Sequence, residues 1–285
     1  MSKQPLEVDV AILGAGSAGL SAWRAARKEG ASVVLIDPGP FGTTCARVGC
    51  MPSKLVIAAA DAAHHARQVS EFGVHSEGVR VDGREVMERV QSERDRFVGF
   101  VLEVIEEARA AGELIVGRGK VGGPGRLSID DGSEVHYERL VIATGTIPFI
   151  PPPFQGIEHA LFTNETFFDM ETLPKSALVV GLGAIGLELG QALHRLDVRT
   201  TLIGIGGQVG PLNDPVVLEN AQQTFSDELD IHPSYELQSI EPAGDGIRLR
   251  FVDSNGRERD EEFEKVLMAA GRRSNLDKLG LENLG

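Results

Sequence analysis

Cysteine is scarce: the 285-residue chain holds two, Cys45 and Cys50, with four residues between them. A structural zinc site would need two further ligands, and no third cysteine exists to supply one. A passive disulfide clip would close so small a loop that it would remove little entropy from the unfolded chain. Basic charge is short as well. With 28 Lys and Arg against 42 Asp and Glu the net charge is −14, the opposite of the basic footprint that neutralises phosphates, so no nucleic-acid partner is expected. Long apolar runs are missing: none approaches the ~20 residues of a membrane-spanning helix. The opening stretch MSKQPLEVDVAILGAGSAGL carries acids where a secretory signal is basic, and glycines break its apolar part. A cytoplasmic protein with no membrane partner is the expectation. In that reducing setting a close cysteine pair reads as catalytic or metal-binding rather than as a permanent bond. Redox pair, clip and metal-ligand pair all remain open at this point.

What is present is ordinary for a globular protein, 42% apolar and 25% charged residues, over a length that suits roughly two domains. The run VDVAILGAGSAGLSAWRAARKEGASVVLID reads as strand, glycine turn, helix and second strand. Gly14, Gly16 and Gly19 fit GxGxxG: the first allows the tight turn, the second lets backbone approach a pyrophosphate, the third lets helix and strand pack closely. Asp37 ends the second strand, where a carboxylate can bind both ribose hydroxyls. The helix N-terminus offers unpaired N–H groups to phosphate.

The pattern returns in PKSALVVGLGAIGLELGQALHRLDVRTTLIG, with Gly181, Gly183 and Gly186 as its glycines. Two such units suggest a tightly bound flavin and an exchangeable nicotinamide cofactor; the other reading is that one copy survives as scaffold. The second copy places Gly204 where the first has Asp37, and Ile205, Gly206 and Gly207 follow rather than arginine. The choice between NAD and NADP is therefore open.

Between the units, KLVIAAADAAHHARQV from Lys54 to about Val69 predicts a helix. Another covers GREVMERVQSERDRFVGFVLEVIEEARAAG and stops at Gly112. ELIVGRGKV, RLSIDD and SEVHYERLVIAT read as a small antiparallel meander. The prolines of ATGTIPFIPPPFQG mark the crossing between domains. Beyond the second glycine unit, ELQSIEPA, GIRLRFVDSNGRERDEEFE and KVLMAAGRR read as short strands in hairpins, with a turn at Ser254-Asn255-Gly256. The expected fold is α/β: two Rossmann-like dinucleotide-binding domains, for FAD and NAD(P), each with a small antiparallel meander. Their expected limits are 1–150 and 151–272, with 273–285 beginning a return to the first.

GAGSAG, TTCARVGCMPSK, IATGTIP, GLGAIGLELG and AAGRRSN occur in this order. Together they resemble the FAD-dependent pyridine nucleotide-disulfide oxidoreductases, those acting on dihydrolipoamide above all. The resemblance implies that Cys45 and Cys50 form a redox-active disulfide beside the flavin. Cys50 would exchange electrons with the flavin, and Cys45 would attack or release a dithiol or disulfide substrate such as lipoamide. Lys54 would lie near the reactive edge of the flavin and pair with Glu188 across the domain boundary. Thr44, Thr144 and Gly145 would touch the flavin, Gly119 would meet its adenine end, and Gly271 would approach the nicotinamide cofactor. Placement just ahead of the helix expected from Lys54, beside Lys54 and Arg47, would favour the thiolate that does the chemistry.

Thr43 stands where the family has glycine, and Ala46-Arg47 where it has an aliphatic residue and asparagine. Mercuric ion, glutathione disulfide or transhydrogenation are alternative substrates or reactions within the resemblance. The family continues past the last residue of this sequence into a dimer-forming domain with a His–Glu acid–base pair. A homodimer is thus expected of full-length members, and a nucleotide-binding fragment without turnover is the rival reading. His232-Pro-Ser-Tyr-Glu236 superficially resembles the His–Glu pair, with the wrong spacing.

Overall fold

In the computed structural model, which describes residues 4–75 and 77–285, β1 (Leu6–Leu13) leads through α1 (Ser17–Lys28) to β2 (Val33–Asp37). The helices α2 (Thr44–Val48), α3 (Cys50–Gln68) and α4 (Gly83–Ala110) follow. Then come β3 (Leu114–Val116), β4 (Gly119–Gly123), β5 (Arg126–Ile129), β6 (Glu134–Ile142), β7 (Thr146–Pro148) and β8 (Leu161–Thr163). The short α5 (Asn164–Phe167) precedes β9 (Ser176–Val180), α6 (Ala184–Arg195), β10 (Arg199–Ile203) and α7 (Pro215–Glu228). The chain closes with β11 (Asp230–His232), β12 (Glu236–Ala243), β13 (Gly246–Val252), β14 (Glu258–Phe263), β15 (Lys265–Met268) and β16 (Arg272–Ser274). Two compact units divide it. The first comprises the chain up to Arg47, Asp95–Ile147 and Arg273–Gly285; the second comprises Val48–Arg94 and Pro148–Arg272.

The first unit is a six-stranded sheet in the order β3-β2-β1-β6-β5-β4. β3, β2, β1 and β6 run parallel, and β5 and β4 complete an antiparallel meander with β6. Successive strand residues serve opposite faces. Ala11, Leu13, Val34 and Ile36 pack with Val121, Leu127, Ile129 and Val135 on one face. Ile12, Val33 and Leu35 pack with Leu20 and Trp23 of α1 and Ile105 and Ala108 of α4 on the other. Trp23 is fully buried, and its indole N–H donates to Glu113 at 2.7 Å, which meets the need of a buried indole for a partner. The α4 helix ends as expected at Gly112, whose φ is +72°. Its N–H donates to the Arg109 carbonyl while Glu113 N–H reaches Ala108, a Schellman closure.

One part of the expected meander divides. ELIVGRGKV breaks at Gly117-Arg118: β3 pairs parallel with β2, and β4 pairs antiparallel with β5 at the far edge. Alternating apolar residues carry no information on strand direction, so the two arms looked alike. A Cβ on Gly117 would stand 2.7 Å from Asp130 Oδ1 and 2.9 Å from Ile129 Cγ2, so a side chain at the crossing would displace both.

The second unit repeats this plan. Its sheet, β11-β10-β9-β15-β8, is parallel throughout, and β12-β13-β14 form a separate antiparallel meander. The hairpin turn lies where expected. Asp253 Oδ1 accepts from the N–H groups of Asn255 and Arg257, and Gly256 takes a φ of +74°. KVLMAAGRR is not a hairpin arm: β15 lies parallel between β9 and β8, with Val266, Leu267 and Met268 all buried. A short strand buried between two neighbours reads as a continuous apolar run. Both units are thus Rossmann-like: strand, glycine turn, helix, parallel strand, and a meander whose following strand returns beside the first.

Candidate functional site

The glycine turns of the two units match position by position. Gly14 and Gly181 have φ of +104° and +108°. Their N–H groups donate to Ile36 and Ile203 at the ends of the second strands, at 2.8 and 2.9 Å. A side chain on Gly14 would strike the Ala143 carbonyl, and one on Gly181 the Ala269 carbonyl. A Cβ on Gly19 or Gly186 would collide with the carbonyl of Gly14 or Gly181, so helix and strand touch there. Gly16 and Gly183 differ: a Cβ on either meets nothing within 4 Å. The open side of each turn therefore faces a space that a ligand backbone could enter. No side chain caps α1 or α6, leaving their first N–H groups for an anion. The residues fit a pyrophosphate at both turns.

The same register equates two motifs that look unrelated in sequence. Ala143-Thr144-Gly145 follows β6 and Ala269-Ala270-Gly271 follows β15. Ala143 N–H donates to Leu13 and Ala269 N–H to Val180, each at 2.8 Å. Gly145 and Gly271 both have positive φ, +67° and +110°. Thr144 Oγ1 donates to the Asn275 carbonyl at 3.2 Å, fixing the first of these turns. Gly119 sits at the carboxyl end of the first sheet, where a Cβ would stand 2.5 Å from Leu13 Cδ2; strand packing alone accounts for glycine there. Asp37 accepts from Ala15 N–H and Gly39 N–H, both at 2.7 Å, and so braces the first turn. A carboxylate has about four acceptor sites, which leaves capacity for ribose hydroxyls.

Cys45 is half-buried in α2, and Cys50 is exposed as the first residue of α3. The helix over 54–69 thus begins four residues earlier than its composition implied. Gly49 caps it, Ser53 N–H donates to the Gly49 carbonyl, and Pro52 occupies the first turn, where its missing N–H costs nothing. Thr43, where the resemblance implies glycine, holds a φ of +62° and accepts from Ala46 N–H at 3.2 Å. That conformation is rare for a β-branched residue.

Lys54 follows Cys50 by four residues, on the same face of α3. Its Nζ donates to Glu188 Oε1 of α6 at 2.7 Å, both groups lying in the second unit. Further along, Arg195 of α6 bonds Asp61 of α3 at 2.7 Å, and Arg67 bonds Asp197 at 2.7 Å. The partners advance together along both helices, so α3 and α6 run in the same direction. The amino end of α3, carrying Cys50, and the amino end of α6, carrying the Gly183 turn, therefore lie at one end of the pair. Both helix dipoles favour negative charge there. Arg195 also binds Glu228, and this hydrogen bond with the guanidinium's two carboxylate neighbours raises its pKa against a smaller effect of burial.

Sequence reasoning missed Asn164. It is buried, 6% exposed, and its amide donates to the Val48 carbonyl at 2.8 Å. Its oxygen accepts from Arg272 at 2.9 Å, and Arg272 also bonds Glu165 at 2.7 Å. The GRR motif is thereby linked, through α5, to the residue just before the Gly49 cap. Only Arg272, inside a recognised motif, gave any signal of this. His232 stands away from such a role: it is buried and its Nε2 lies 3.0 Å from Asp230. Among the described residues no group of three or more His, Cys, Asp or Glu side chains could hold a metal ion, and no helix is long and apolar enough to cross a membrane.

Comparison with known proteins fits this geometry. A family model described as pyridine nucleotide-disulphide oxidoreductase matches residues 8–285. A dihydrolipoyl dehydrogenase of Halobacterium salinarum is 31% identical over 284 residues, covering 97% of this chain and 59% of that protein. One from Bacillus subtilis is 27% identical over 292 residues, covering 97% of this chain and 61% of its own length. A mercuric reductase of Streptomyces lividans is 31% identical over 287 residues, with 97% and 59% covered. The chain thus spans about three fifths of the length of these relatives.

Proposed function

Because the chain belongs to the pyridine nucleotide-disulphide oxidoreductase family, we propose that it is a flavoprotein that oxidises a dithiol, as a dihydrolipoyl dehydrogenase does, with FAD in the first unit and NAD or NADP in the second. The observation that carries this reading is the shared end of α3 and α6, with Cys50 on one helix and the open glycine turn on the other. FAD and the nicotinamide, when bound, would supply the hydride chemistry that no side chain offers.

Gly14, Gly16, Gly19 and Asp37 hold the FAD pyrophosphate and ribose, with Thr44, Gly119, Thr144 and Gly145 completing its cradle. Gly181, Gly183, Gly186 and Gly271 do the same for the nicotinamide dinucleotide. The oxidised Cys45–Cys50 pair takes the electrons of the substrate. A substrate thiolate attacks Cys45 sulfur, the S–S bond breaks and Cys50 leaves as thiolate. The second substrate thiolate attacks the sulfur joined to Cys45 and expels it. Substrate departs as a disulfide, two electrons poorer; the cysteines are reduced, and the two protons pass to their sulfurs or to water. Lys54, held by Glu188, places an ammonium on the face of α3 that carries Cys50. A homodimer and a cytoplasmic location complete the reading.

The test is a thiol titration. Denatured protein should show two additional titratable thiols per chain after treatment with dihydrolipoamide and removal of the reagent, and the Cys50→Ser variant none. No gain in the wild type, across oxidised preparations, would refute the cysteine role. The mercuric reductase relative, at 31% identity, supports a second reading in which the same thiolates bind mercuric ion, a soft metal suited to sulfur. Turnover with mercuric salt and none with dihydrolipoamide would favour it.

A further inference from the structure

We propose that Leu182 and Gly204 make the second glycine unit indifferent to the 2′ position of its adenosine, so that it accepts NAD(H) and NADP(H) alike. This rests on the reading of that unit as a nicotinamide dinucleotide site. In the first unit the residue after the first glycine is Ala15, whose small side chain leaves room for Asp37, and Asp37 Oδ2 accepts its N–H at 2.7 Å. In the second unit the corresponding residues are Leu182 and Gly204, as the matched bonds from Gly14 to Ile36 and from Gly181 to Ile203 require. Leu182 is 5% exposed and belongs to the apolar core with Leu189 and Val209. A Cβ on Gly204 would stand 2.7 Å from both Cγ and Cδ1 of Leu182. The leucine thus fills the volume that the ribose-binding carboxylate takes in the first unit, and the two substitutions form one packed pair. A carboxylate cannot be carried at 204 while Leu182 keeps its place.

The opposite preference has no support either. The following stretch, Ile205 to Asn213, contains no charged residue, so it offers no arginine to a 2′-phosphate. The Gly207 and Gly210 N–H groups are taken by the carbonyls of Pro233 and Leu182. Ile205, 77% exposed, stands where a charge would otherwise discriminate. With neither an acid to bind the 2′-hydroxyl nor a cation to bind the 2′-phosphate, the two cofactors differ little in what they gain.

The experiment measures binding, by calorimetry on the purified chain, of NADH, NADPH and ADP-ribose, without turnover. The wild type should hold NADH and NADPH with dissociation constants within about tenfold of each other. Leu182→Ala/Gly204→Asp should shift the ratio at least tenfold towards NADH, and Ile205→Arg, at an exposed position that tolerates it, at least tenfold towards NADPH. A wild-type preference above a hundredfold for either cofactor would overturn the proposal while leaving the nucleotide site intact. So would ratios unmoved in both variants. If wild type and variants alike bind none of the three ligands, the nucleotide reading of the second unit falls, and the proposal with it.

Discussion

Replacing Asn164 by alanine tests the link between the GRR motif and the turn that begins the cysteine helix. The side chain is 6% exposed and makes two bonds, to the Val48 carbonyl at 2.8 Å and from Arg272 at 2.9 Å. The first is an ordinary neutral bond worth about 1 kcal/mol, and the second involves a charged donor worth about 1.5–3 kcal/mol. Arg272 keeps Glu165 at 2.7 Å, so its loss falls at the lower end. A total destabilisation of about 2–3 kcal/mol follows from those two terms. Urea unfolding should show it as a lower midpoint at unchanged slope. Asn164→Asp separates the two bonds. It keeps an acceptor for Arg272 but turns the donor facing Val48 into a second acceptor, and it should be no more stable than the alanine variant. A loss below about 0.5 kcal/mol in Asn164→Ala, the scatter of ordinary surface changes, would refute the reasoning, as would an aspartate variant as stable as wild type.

Two glycines of the first turn should respond oppositely. Gly16→Ala, with nothing within 4 Å of its Cβ, should keep the wild-type Tm yet lose FAD on gel filtration, whereas Gly19→Ala should fail to fold or lose several degrees of Tm. A double-mutant cycle on Lys54 and Glu188 should give a coupling of only about 0.2–1 kcal/mol, since their side chains are 60% and 42% exposed; a larger coupling would mean that the pair serves stability first. Acid should act through Asp230. Burial pushes its carboxyl up, but hydrogen bonds from His232, Arg259 and Thr201 outweigh this and hold it well below the usual carboxylate range. The contribution is therefore fully present above the unfolded value near pH 4 and is lost as pH falls towards the depressed folded one. Asp230→Asn should be less stable at pH 7 and show a shallower loss of urea midpoint between about pH 4 and pH 2; parallel curves would contradict the assignment.

Both glycine turns were legible because close approach leaves a fixed trace: a side chain on Gly19 or Gly186 has nowhere to go. The end of α4 at Gly112 and the turn at Asn255-Gly256 were legible for a similar local reason, their left-handed backbone. Strand direction was not legible throughout, because the apolar runs LIV and KVLM suit either direction, and β3 and β15 proved parallel. The α7 helix went unread although Asp214 caps it and Pro215 opens it, since its buried face is weak. The start of α3 at Cys50 was hidden by Pro52, which is tolerated in a first turn. Asn164 carried no local signal at all. Its partners, Val48 and Arg272, lie 116 and 108 residues away in sequence, and only the packed unit brings them together. Conversely, the equivalence of ATG and AAG rests on backbone position rather than side-chain identity, so it appears only in the strand register.

In the proposed function Cys45 and Cys50 pass the electrons of a dithiol towards a flavin held at the first glycine turn. Its most direct test is the visible spectrum of the purified protein, saturated with FAD and freed of excess, before and after anaerobic addition of dihydrolipoamide. The wild type should retain FAD and its flavin absorption should change on addition, while Cys50→Ser should retain FAD and show no change. A chain that holds no FAD at saturation, or a Cys50→Ser variant whose flavin responds as the wild type does, would contradict it.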